Sequence, residues 1–403
     1  MLRKLLAFVS ALTFCTGPAV GFASAAVTAT PIRAAVTEMP ANGQPVQNSK
    51  PGPGTPGWEE ICRPESRAVQ QVVPGDKRIA YYGRWDKKDA HAYRTDRGAA
   101  YMKFNFTGDY VAVHFQNAGP YIWWRSSIDG DAWQRFSGDL IAPLSRKGKH
   151  TLVLERDTET LGGISSITGI TLAAEGKLLP PPQAERRRME FVGDSVLAGA
   201  FALGTDGHGY LINESAAQSF GPQVARQLQA EYSIIATSGE GIMMNYQGAP
   251  ANHKNVFAAQ DYGRLLYNQP QSRFTAGGLK PQVVVLNHGA NDFLGTNNPD
   301  PEQFKASYRQ LILQVRRHNP RAQIICLEPV PFQFHAQAAP LMEQVVTELT
   351  ALGDRKLHFV SLHTEKSFLP AGDFVDGEHP LLQGHAKLAN HLSKVIAGIM
   401  GWN

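Results

Sequence analysis

The chain has 403 residues, of which 43% are hydrophobic and 18% are charged, and its formal net charge at pH 7 is +4. This balance is typical of a globular protein and excludes a disordered chain or a membrane-embedded helix bundle. The length is sufficient for two separate hydrophobic cores. Part of the positive excess lies at the N-terminus and in Arg186–Arg188 rather than on one face, so we expect no nucleic-acid partner.

The N-terminal residues have the three parts of a secretory signal peptide. Arg3 and Lys4 supply the positive charge, an apolar run follows, and the small residues Ala23–Ala25 supply a cleavage site. We therefore expect residues 1–25 to be a signal peptide cleaved near Ala25, and the mature protein to be periplasmic or secreted. A membrane anchor is the alternative, but the apolar run is short and contains glycine and proline, so we expect no integral membrane span after cleavage.

Residues 26–57 are rich in alanine, proline, threonine and glycine, which predicts a disordered linker. Residues 58–178 then alternate short apolar and polar runs, such as Ala100–Phe106 and Tyr110–Phe115, separated by residues typical of turns. No segment of this range has a convincing helical period. The pattern predicts an all-β domain, a β-sandwich of the jelly-roll kind.

The prolines and arginines of residues 179–188 indicate a second linker, after which strands and helices alternate over residues 189–403. The predicted strands are residues 189–192, 232–236, 283–287, 323–327 and 358–361, and the predicted helices are residues 217–230, 303–318, 336–352 and 383–399. This alternation predicts a parallel sheet with helices on both faces. In such a sheet the functional site lies at the carboxyl ends of the strands.

Three short polar motifs occupy the positions where such a site is expected. Gly193–Ser195 follows the first strand, Gly289–Asp292 follows the third, and Asp376–Pro380 lies in the loop before the last helix. Each motif has an ordinary structural explanation when taken alone, such as a helix N-cap or a turn. Their joint occurrence, in this order and at strand ends, favours a single functional site.

The residue types in these motifs are those that acyl transfer by a serine requires. Ser195 is the expected nucleophile, His379 the base that takes and returns its proton, and Asp376 the group that orients the imidazole. The oxyanion of the tetrahedral intermediate needs hydrogen-bond donors, and the backbone N–H of Ser195, a glycine N–H and the Asn291 side chain are available. Position 197 is leucine, so this serine does not lie on a Gly-x-Ser-x-Gly nucleophile elbow.

Taken together, Gly193–Ser195, Gly239, Asn291 and His379 resemble the four blocks that define the SGNH (GDSL) hydrolase superfamily. The resemblance implies a flavodoxin-like α/β/α domain. It also implies an oxyanion hole formed by the backbone N–H groups of Ser195 and Gly239 and the side chain of Asn291.

The chain also resembles carbohydrate esterase family 2 over roughly residues 75 to 403. The segments that carry this resemblance are Tyr82–Trp85, Ile170–Leu172, Gly176–Pro180, Glu214–Gly221, Ser238–Ile242 and Asn245–Gly248. The family pairs an N-terminal jelly roll with a C-terminal SGNH domain and removes acetyl groups from plant-type polysaccharides. Some members have Asp-Trp directly before the histidine, where this chain has Gly377 and Glu378.

Three residues near the motifs are expected to contact substrate. Asp194 precedes the nucleophile, Phe293 follows the Asn291 motif, and Tyr246 lies in the segment after Gly239. Aromatic rings stack on sugar faces and line pockets, although ordinary packing is the alternative for both aromatic residues.

The sequence therefore predicts an exported carbohydrate O-acetylesterase that acts on an acylated carbohydrate or another small acyl ester. We expect no cofactor and no metal, because the chain has no CxxC pair and no cluster of ligands at metal spacing. A lipase, arylesterase or acyltransferase using the same site is one alternative, and a non-catalytic glycan-binding protein is another. The oligomeric state is not predicted.

Overall fold

The structure is a computed structural model that describes residues 69–119, 121–205, 209–248, 255–275, 279–330, 332–362 and 369–402. The predicted signal peptide (residues 1–25) and disordered linker (residues 26–57) lie outside these ranges. Within them, no helix has the length and apolar character needed to cross a membrane.

The N-terminal part of the described chain is an antiparallel β-sheet domain. Its strands are β1 (Val69–Val72), β2 (Ala80–Tyr82), β3 (Tyr93–Thr95), β4 (Tyr101–Asn117), β5 (Trp124–Ile128), β6 (Gln134–Phe136), β7 (Leu140–Arg156) and β8 (Ser165–Ala173). They pair in the order β1-β8-β4-β7-β5-β6, with β2 on β4 and β3 on β8. This arrangement confirms the predicted all-β domain.

The long strands β4 and β7 pair with each other and connect the shorter strands of this sheet. The register of their pairing shifts between Gly108 and Tyr110. On its other edge, the first half of β4 pairs with β2 and the second half pairs with β8. Gly108 has φ +128°, which residues with a Cβ rarely adopt. Apolar side chains from both halves of β4 and from β8 meet in one core, including Met102, Phe104, Val111 and Ile170.

The C-terminal part is an α/β domain built on the parallel strands β9 (Arg187–Gly193), β10 (Ala230–Ala236), β11 (Val283–Asn287), β12 (Gln323–Leu327) and β13 (Leu357–Val360). Its helices are α1 (Ser195–Ala198), α2 (Tyr210–Asn213), α3 (Phe220–Gln227), α4 (Ala258–Tyr262), α5 (Ala290–Phe293), α6 (Pro301–His318), α7 (His335–Ala351) and α8 (Leu382–Met400). Apolar residues of α3 and α8 pack on one face of the sheet, and those of α4, α6 and α7 pack on the other. The predicted α/β/α architecture is confirmed.

The strand order is β10-β9-β11-β12-β13, which is the flavodoxin-like order 2-1-3-4-5. In this order β9 lies between β10 on one side and β11 on the other. The crevice at this switch point lies at the carboxyl ends of β9 and β11, where Gly193 is paired with Asn287. The segments that follow these two strands carry Ser195 and Asn291, so the fold brings both motifs to one edge.

Buried polar contacts join the two domains. Arg97 of the β domain forms an ion pair with Asp261 of α4 at 2.6 Å, and both side chains are inaccessible to solvent. The hydroxyl of Tyr101 on β4 donates a hydrogen bond to the carboxylate of Glu231 on β10. Removing one partner of a buried ion pair such as Arg97–Asp261 is strongly destabilising, so both partners are needed for a stable interface.

Candidate active site

Ser195 begins the short helix α1 directly after β9. The side chain of Asp194 is the N-cap, and its Oδ1 accepts a hydrogen bond from the N–H of Val196 at 3.1 Å. Gly193 is required here because a Cβ would lie 2.9 Å from the carbonyl oxygen of Asn287. The N–H groups in the first turn of a helix have no acceptor within the helix, so the Ser195 N–H can donate a hydrogen bond to an oxyanion.

His379 and Asp376 reach Ser195 from the loop before α8. The Nε2 atom of His379 lies 3.0 Å from the Oγ of Ser195, and its Nδ1 lies 2.6 Å from Oδ2 of Asp376. The His379 side chain is 17% exposed and that of Asp376 is 42% exposed. Burial raises the pKa of Asp376, but the hydrogen bond to His379 and the charge of that residue lower it more, and the net pKa is about 2.

The loop that carries these two residues is closed by local hydrogen bonds. The Oδ1 atom of Asp376 accepts from the backbone N–H of Glu378 at 2.9 Å and of His379 at 2.7 Å. Gly377 has φ +85°, a conformation that favours glycine and permits this turn. The N–H of Val375 donates to the carbonyl of His379 at 3.0 Å, which completes the loop.

The two remaining residues of the predicted oxyanion hole lie after β10 and β11. Gly239 has φ +78° in the turn after β10, and Asn291 lies in the first turn of α5. The Asn291 side-chain amide donates to the carbonyl of Glu240 at 3.0 Å and lies 3.5 Å from Oδ2 of Asp194. Asn291 therefore links the segment that contains Gly239 to the residue that precedes the nucleophile.

Asp292, next to Asn291, braces the segment that follows Gly239. Its carboxylate is fully buried and accepts hydrogen bonds from the backbone N–H groups of Ile242, Met243 and Met244, at 2.8, 2.8 and 2.9 Å. Three such bonds fix this segment relative to α5, so the role of Asp292 is to brace it.

Ionisable groups beneath the site are buried and have strongly shifted pKa values. Burial raises the pKa of Asp194 to about 7 and raises that of Glu240 well above its ordinary value. Burial also lowers the pKa of His288 to about 4, and its Nε2 lies 3.2 Å from Oε1 of Glu240. These shifts favour the neutral forms of Glu240 and His288 near neutral pH, whereas Asp194, with a pKa of about 7, titrates in that range.

The three residues predicted to contact substrate occupy different environments. Asp194 is 2% exposed and its carboxylate caps α1. Tyr246 is 48% exposed, and its backbone N–H donates to the carbonyl of Gly239 at 2.8 Å, so its backbone lies next to the predicted oxyanion hole. Phe293 lies in α5 two residues after Asn291, and its ring packs 5.2 Å from that of Phe304.

Two residues near the site were missed by the sequence analysis. The ring of Phe201 lies 5.4 Å from that of His379 and 6.1 Å from that of Tyr210, so it forms a wall beside the imidazole. The one sequence feature that could have indicated Phe201 is its position only six residues after Ser195. Glu159 of the β domain contacts Ser238 next to Gly239, and no local pattern in the sequence indicates this contact. Within the described parts of the chain, no three His, Cys, Asp or Glu side chains are grouped to hold a metal ion.

Comparison with known proteins assigns both domains. A model described as "GDSL-like Lipase/Acylhydrolase family" matches residues 191–387, and one described as "Carbohydrate esterase 2 N-terminal" matches residues 81–182. The fold and these matches define a GDSL/SGNH hydrolase with an N-terminal β domain. The chain belongs to carbohydrate esterase family 2.

Two related proteins are named as esterases. The "Cellulase/esterase CelE" of Acetivibrio thermocellus is 31% identical over 351 residues, which are 84% of this chain and 41% of that protein. An "Acetylxylan esterase / glucomannan deacetylase" of Cellvibrio japonicus is 31% identical over 221 residues, which are 51% of this chain and 59% of that protein. The chain thus spans only about half the length of each of these two relatives.

Two solved structures extend the similarity to the fold of most of the chain. A family two carbohydrate esterase from Clostridium thermocellum, in complex with cellohexaose, is 28% identical and superposes with a TM-score of 0.71. The match covers 81% of this chain and 100% of that one. A family two carbohydrate esterase from Cellvibrio japonicus is 18% identical with a TM-score of 0.74 over 83% of this chain and 99% of that one, and it supports the fold.

Proposed function

We propose that this protein is an exported serine esterase that removes O-acetyl groups from a carbohydrate or polysaccharide. One observation carries the proposal: the Nε2 of His379 lies 3.0 Å from the Oγ of Ser195, while its Nδ1 lies 2.6 Å from Asp376. This is the hydrogen-bonded chain that activates a serine hydroxyl. The names of the two relatives, an esterase and an acetylxylan esterase, favour an acetyl group on a sugar as the substrate.

In the proposed acylation step, Ser195 Oγ attacks the acetyl carbonyl carbon while its proton passes to Nε2 of His379. The carbonyl electron pair moves to the oxygen, and the N–H groups of Ser195 and Gly239 and the Asn291 amide stabilise the oxyanion. When the intermediate collapses, the bond to the sugar oxygen breaks and that oxygen takes the proton from Nε2. The products are a free sugar hydroxyl and acetyl-Ser195.

Deacylation repeats these events with water as the nucleophile. A water molecule transfers a proton to Nε2 of His379 and attacks the acetyl carbon, and the second tetrahedral intermediate releases acetate as Ser195 Oγ regains the proton. Asp376 stabilises the imidazolium that forms in both halves of the reaction. The short hydrogen bond to Nδ1 supports this role, since it fixes the tautomer that presents an unprotonated Nε2.

The test is acetate release from a panel of acetylated polysaccharides by the wild type and by Ser195→Ala. We expect turnover by the wild type and none above background for the variant, with unchanged thermal unfolding. Ser127→Ala is a matched control, because the Ser127 hydroxyl donates to the carbonyl of Asp131 in a turn of the β domain. Undiminished hydrolysis by Ser195→Ala would overturn the assignment of the nucleophile.

A second assay separates the alternatives that use the same site. Nitrophenyl acetate and nitrophenyl octanoate are compared, with and without an added alcohol acceptor. We expect the acetyl ester to be preferred and water to be the acceptor. A preference for octanoate would indicate a lipase, transfer to the alcohol would indicate an acyltransferase, and glycan binding without turnover would indicate a binding protein.

A further inference from the structure

The β domain contacts the segment that carries Gly239. Glu159 follows β7 and precedes the short 3-10 turn Thr160–Gly162, and its side chain has no exposed surface. Its Oε2 atom accepts a hydrogen bond from the backbone N–H of Ser238 at 2.9 Å. Ser238 immediately precedes Gly239, so a residue of one domain fixes the backbone of the predicted oxyanion hole in the other.

Two neighbouring positions of the same segment are also held by the β domain. The hydroxyl of Thr160 donates to the carbonyl of Ala236 at 3.3 Å. Arg97 is ion-paired with Asp261, whose Oδ2 accepts from the hydroxyl of Thr237 at 3.4 Å. Together with the Glu159 bond, these contacts reach three consecutive residues before Gly239.

Glu159 is itself held in place by the α/β domain. Its backbone N–H donates to Oε1 of Glu214 at 2.9 Å, and Glu214 is fully buried. Burial raises the pKa of Glu159, while hydrogen bonds from Ser238 lower it, and the net pKa is about 7. The Glu159 side chain can accept the Ser238 N–H bond in either protonation state, because each state keeps an oxygen lone pair.

The segment around Gly239 is therefore fixed on both sides. Asp292 holds Ile242–Met244 from within the α/β domain, and Glu159 holds Ser238 from the β domain. The Gly239 N–H lies between the two anchors. An oxyanion hole stabilises the transition state only when its donors are held in advance at the correct position.

We infer that Glu159 is a positioning residue of the esterase: it places the Gly239 N–H through its bond to Ser238, so the β domain completes the oxyanion hole. This inference rests on the proposed function. Burying a carboxylate is costly unless it makes a specific hydrogen bond. A positioning role gives a reason for burying Glu159 where the two domains meet.

The test compares Glu159→Leu, which removes the acceptor, with Glu159→Gln, which keeps one oxygen acceptor in a side chain of the same shape. For nitrophenyl acetate we expect kcat of Glu159→Leu to fall about 10- to 100-fold with KM changed less than about 3-fold, because removing a complete oxyanion donor costs about 100- to 1,000-fold. We expect Glu159→Gln to recover kcat to within about 3-fold of the wild type.

Glu231→Leu is the matched control for simple loss of an interdomain contact. Glu231 is a buried carboxylate that accepts from Tyr101 across the same interface, at the opposite end of β10 from Gly239. We expect the thermal stability of the Glu231→Leu variant to fall while its kcat stays within about 2-fold of the wild type. If Glu159→Leu does not fold, Glu159→Asp withdraws the acceptor by one methylene and is expected to lower kcat in the same manner.

The outcomes separate this inference from the proposed function. An inactive wild type would overturn both. An active wild type whose Glu159→Leu or Glu159→Asp variant loses thermal stability but keeps kcat would overturn only the positioning role. Affinity for a boronic acid that mimics the tetrahedral intermediate gives a second readout, which we expect to fall in proportion to kcat/KM in the Glu159 variants but not in Glu231→Leu.

Discussion

Asp376 contacts His379 through both of its carboxylate oxygens. Oδ2 lies 2.6 Å from the ring Nδ1, and Oδ1 accepts the backbone N–H of the same histidine at 2.7 Å. One side chain thus orients the imidazole and fixes the backbone from which it extends. A proton on Nδ1 leaves Nε2 with a lone pair directed towards Ser195 at 3.0 Å.

Replacing this carboxylate with an amide tests the orientation of the ring. In Asp376→Asn, the amide oxygen can keep the two backbone bonds, but its NH2 group then faces Nδ1 and favours the wrong tautomer. We expect kcat for an acetyl ester to fall about 1,000- to 10,000-fold, with a thermal midpoint close to that of the wild type. Steady-state kinetics and thermal unfolding measure both effects. A loss of less than about tenfold would show that Asp376 is dispensable.

The sequence predicted the central part of this site because parallel sheets obey a positional rule. Motifs after the first and third strands were expected at one edge, and β9 and β11 are adjacent, so Ser195 and Asn291 are brought to the same crevice. Strand predictions agreed with the structure where runs are continuously apolar, and residues 283–287 and 323–327 match β11 and β12 in both bounds.

Other features depend on contacts that a local pattern cannot show. The strand predicted to begin at Met189 begins at Arg187, because Arg187 and Arg188 pair with Ala230 and Glu231 of β10. The helix predicted over residues 217–230 divides into the 3-10 turn Ala216–Gln218 and the helix Phe220–Gln227.

Glu159 gave no sequence signal for a different reason. It lies 79 residues from Ser238 along the chain, and its role depends on the docking of two domains. Periodicity and turn chemistry describe neighbours in sequence, so a contact of this kind becomes visible only in the folded chain.

The Asn291 side chain is expected to be the side-chain donor of the oxyanion hole, beside the backbone N–H groups of Ser195 and Gly239. It is 5% exposed and already oriented by its bond to the carbonyl of Glu240. We expect Asn291→Ala to lower kcat about 100- to 1,000-fold with little change in KM, since the donor acts mainly in the transition state. Asn291→Asp is a near-isosteric comparison that replaces a donor with a carboxylate and should be at least as impaired. Equal kcat/KM for Asn291→Ala and the wild type would contradict this role.

Asp194 is expected to make the stability of the protein depend on pH. Its pKa is raised from an ordinary value of 3.8 to about 7 in the folded state, chiefly by burial. Between these values the native state binds more protons than the unfolded state, so this group makes stability fall as pH rises from about 4 to about 7. Asparagine is an equally good helix N-cap but does not titrate.

We therefore expect the thermal midpoint of Asp194→Asn to decline less than that of the wild type over this pH range. Differential scanning calorimetry between pH 4 and 8 measures the two curves. Parallel curves would show that the Asp194 carboxyl is not the group that titrates.

Tyr246 is expected to bind the sugar rather than to take part in the chemistry. The residue is 48% exposed, and its backbone is hydrogen-bonded to Gly239, so we expect its ring to be within reach of an acetylated sugar bound at the oxyanion hole. We expect Tyr246→Ala to raise KM for acetylated oligosaccharides about 5- to 10-fold, which corresponds to the loss of one aromatic contact of about 1 kcal/mol. The kcat for nitrophenyl acetate, which has no sugar to stack, should be unchanged.

Tyr246→Phe is the matched variant, because it keeps the ring and removes only the hydroxyl. If stacking is the interaction, Tyr246→Phe should have a KM for oligosaccharides within about 2-fold of the wild type. If Tyr246→Phe and Tyr246→Ala raise the KM for oligosaccharides equally, the Tyr246 hydroxyl rather than its ring makes the contact with the sugar. If Tyr246→Ala lowers kcat for nitrophenyl acetate as well, the ring instead supports the position of the Tyr246 backbone, whose N–H is hydrogen-bonded to the carbonyl of Gly239.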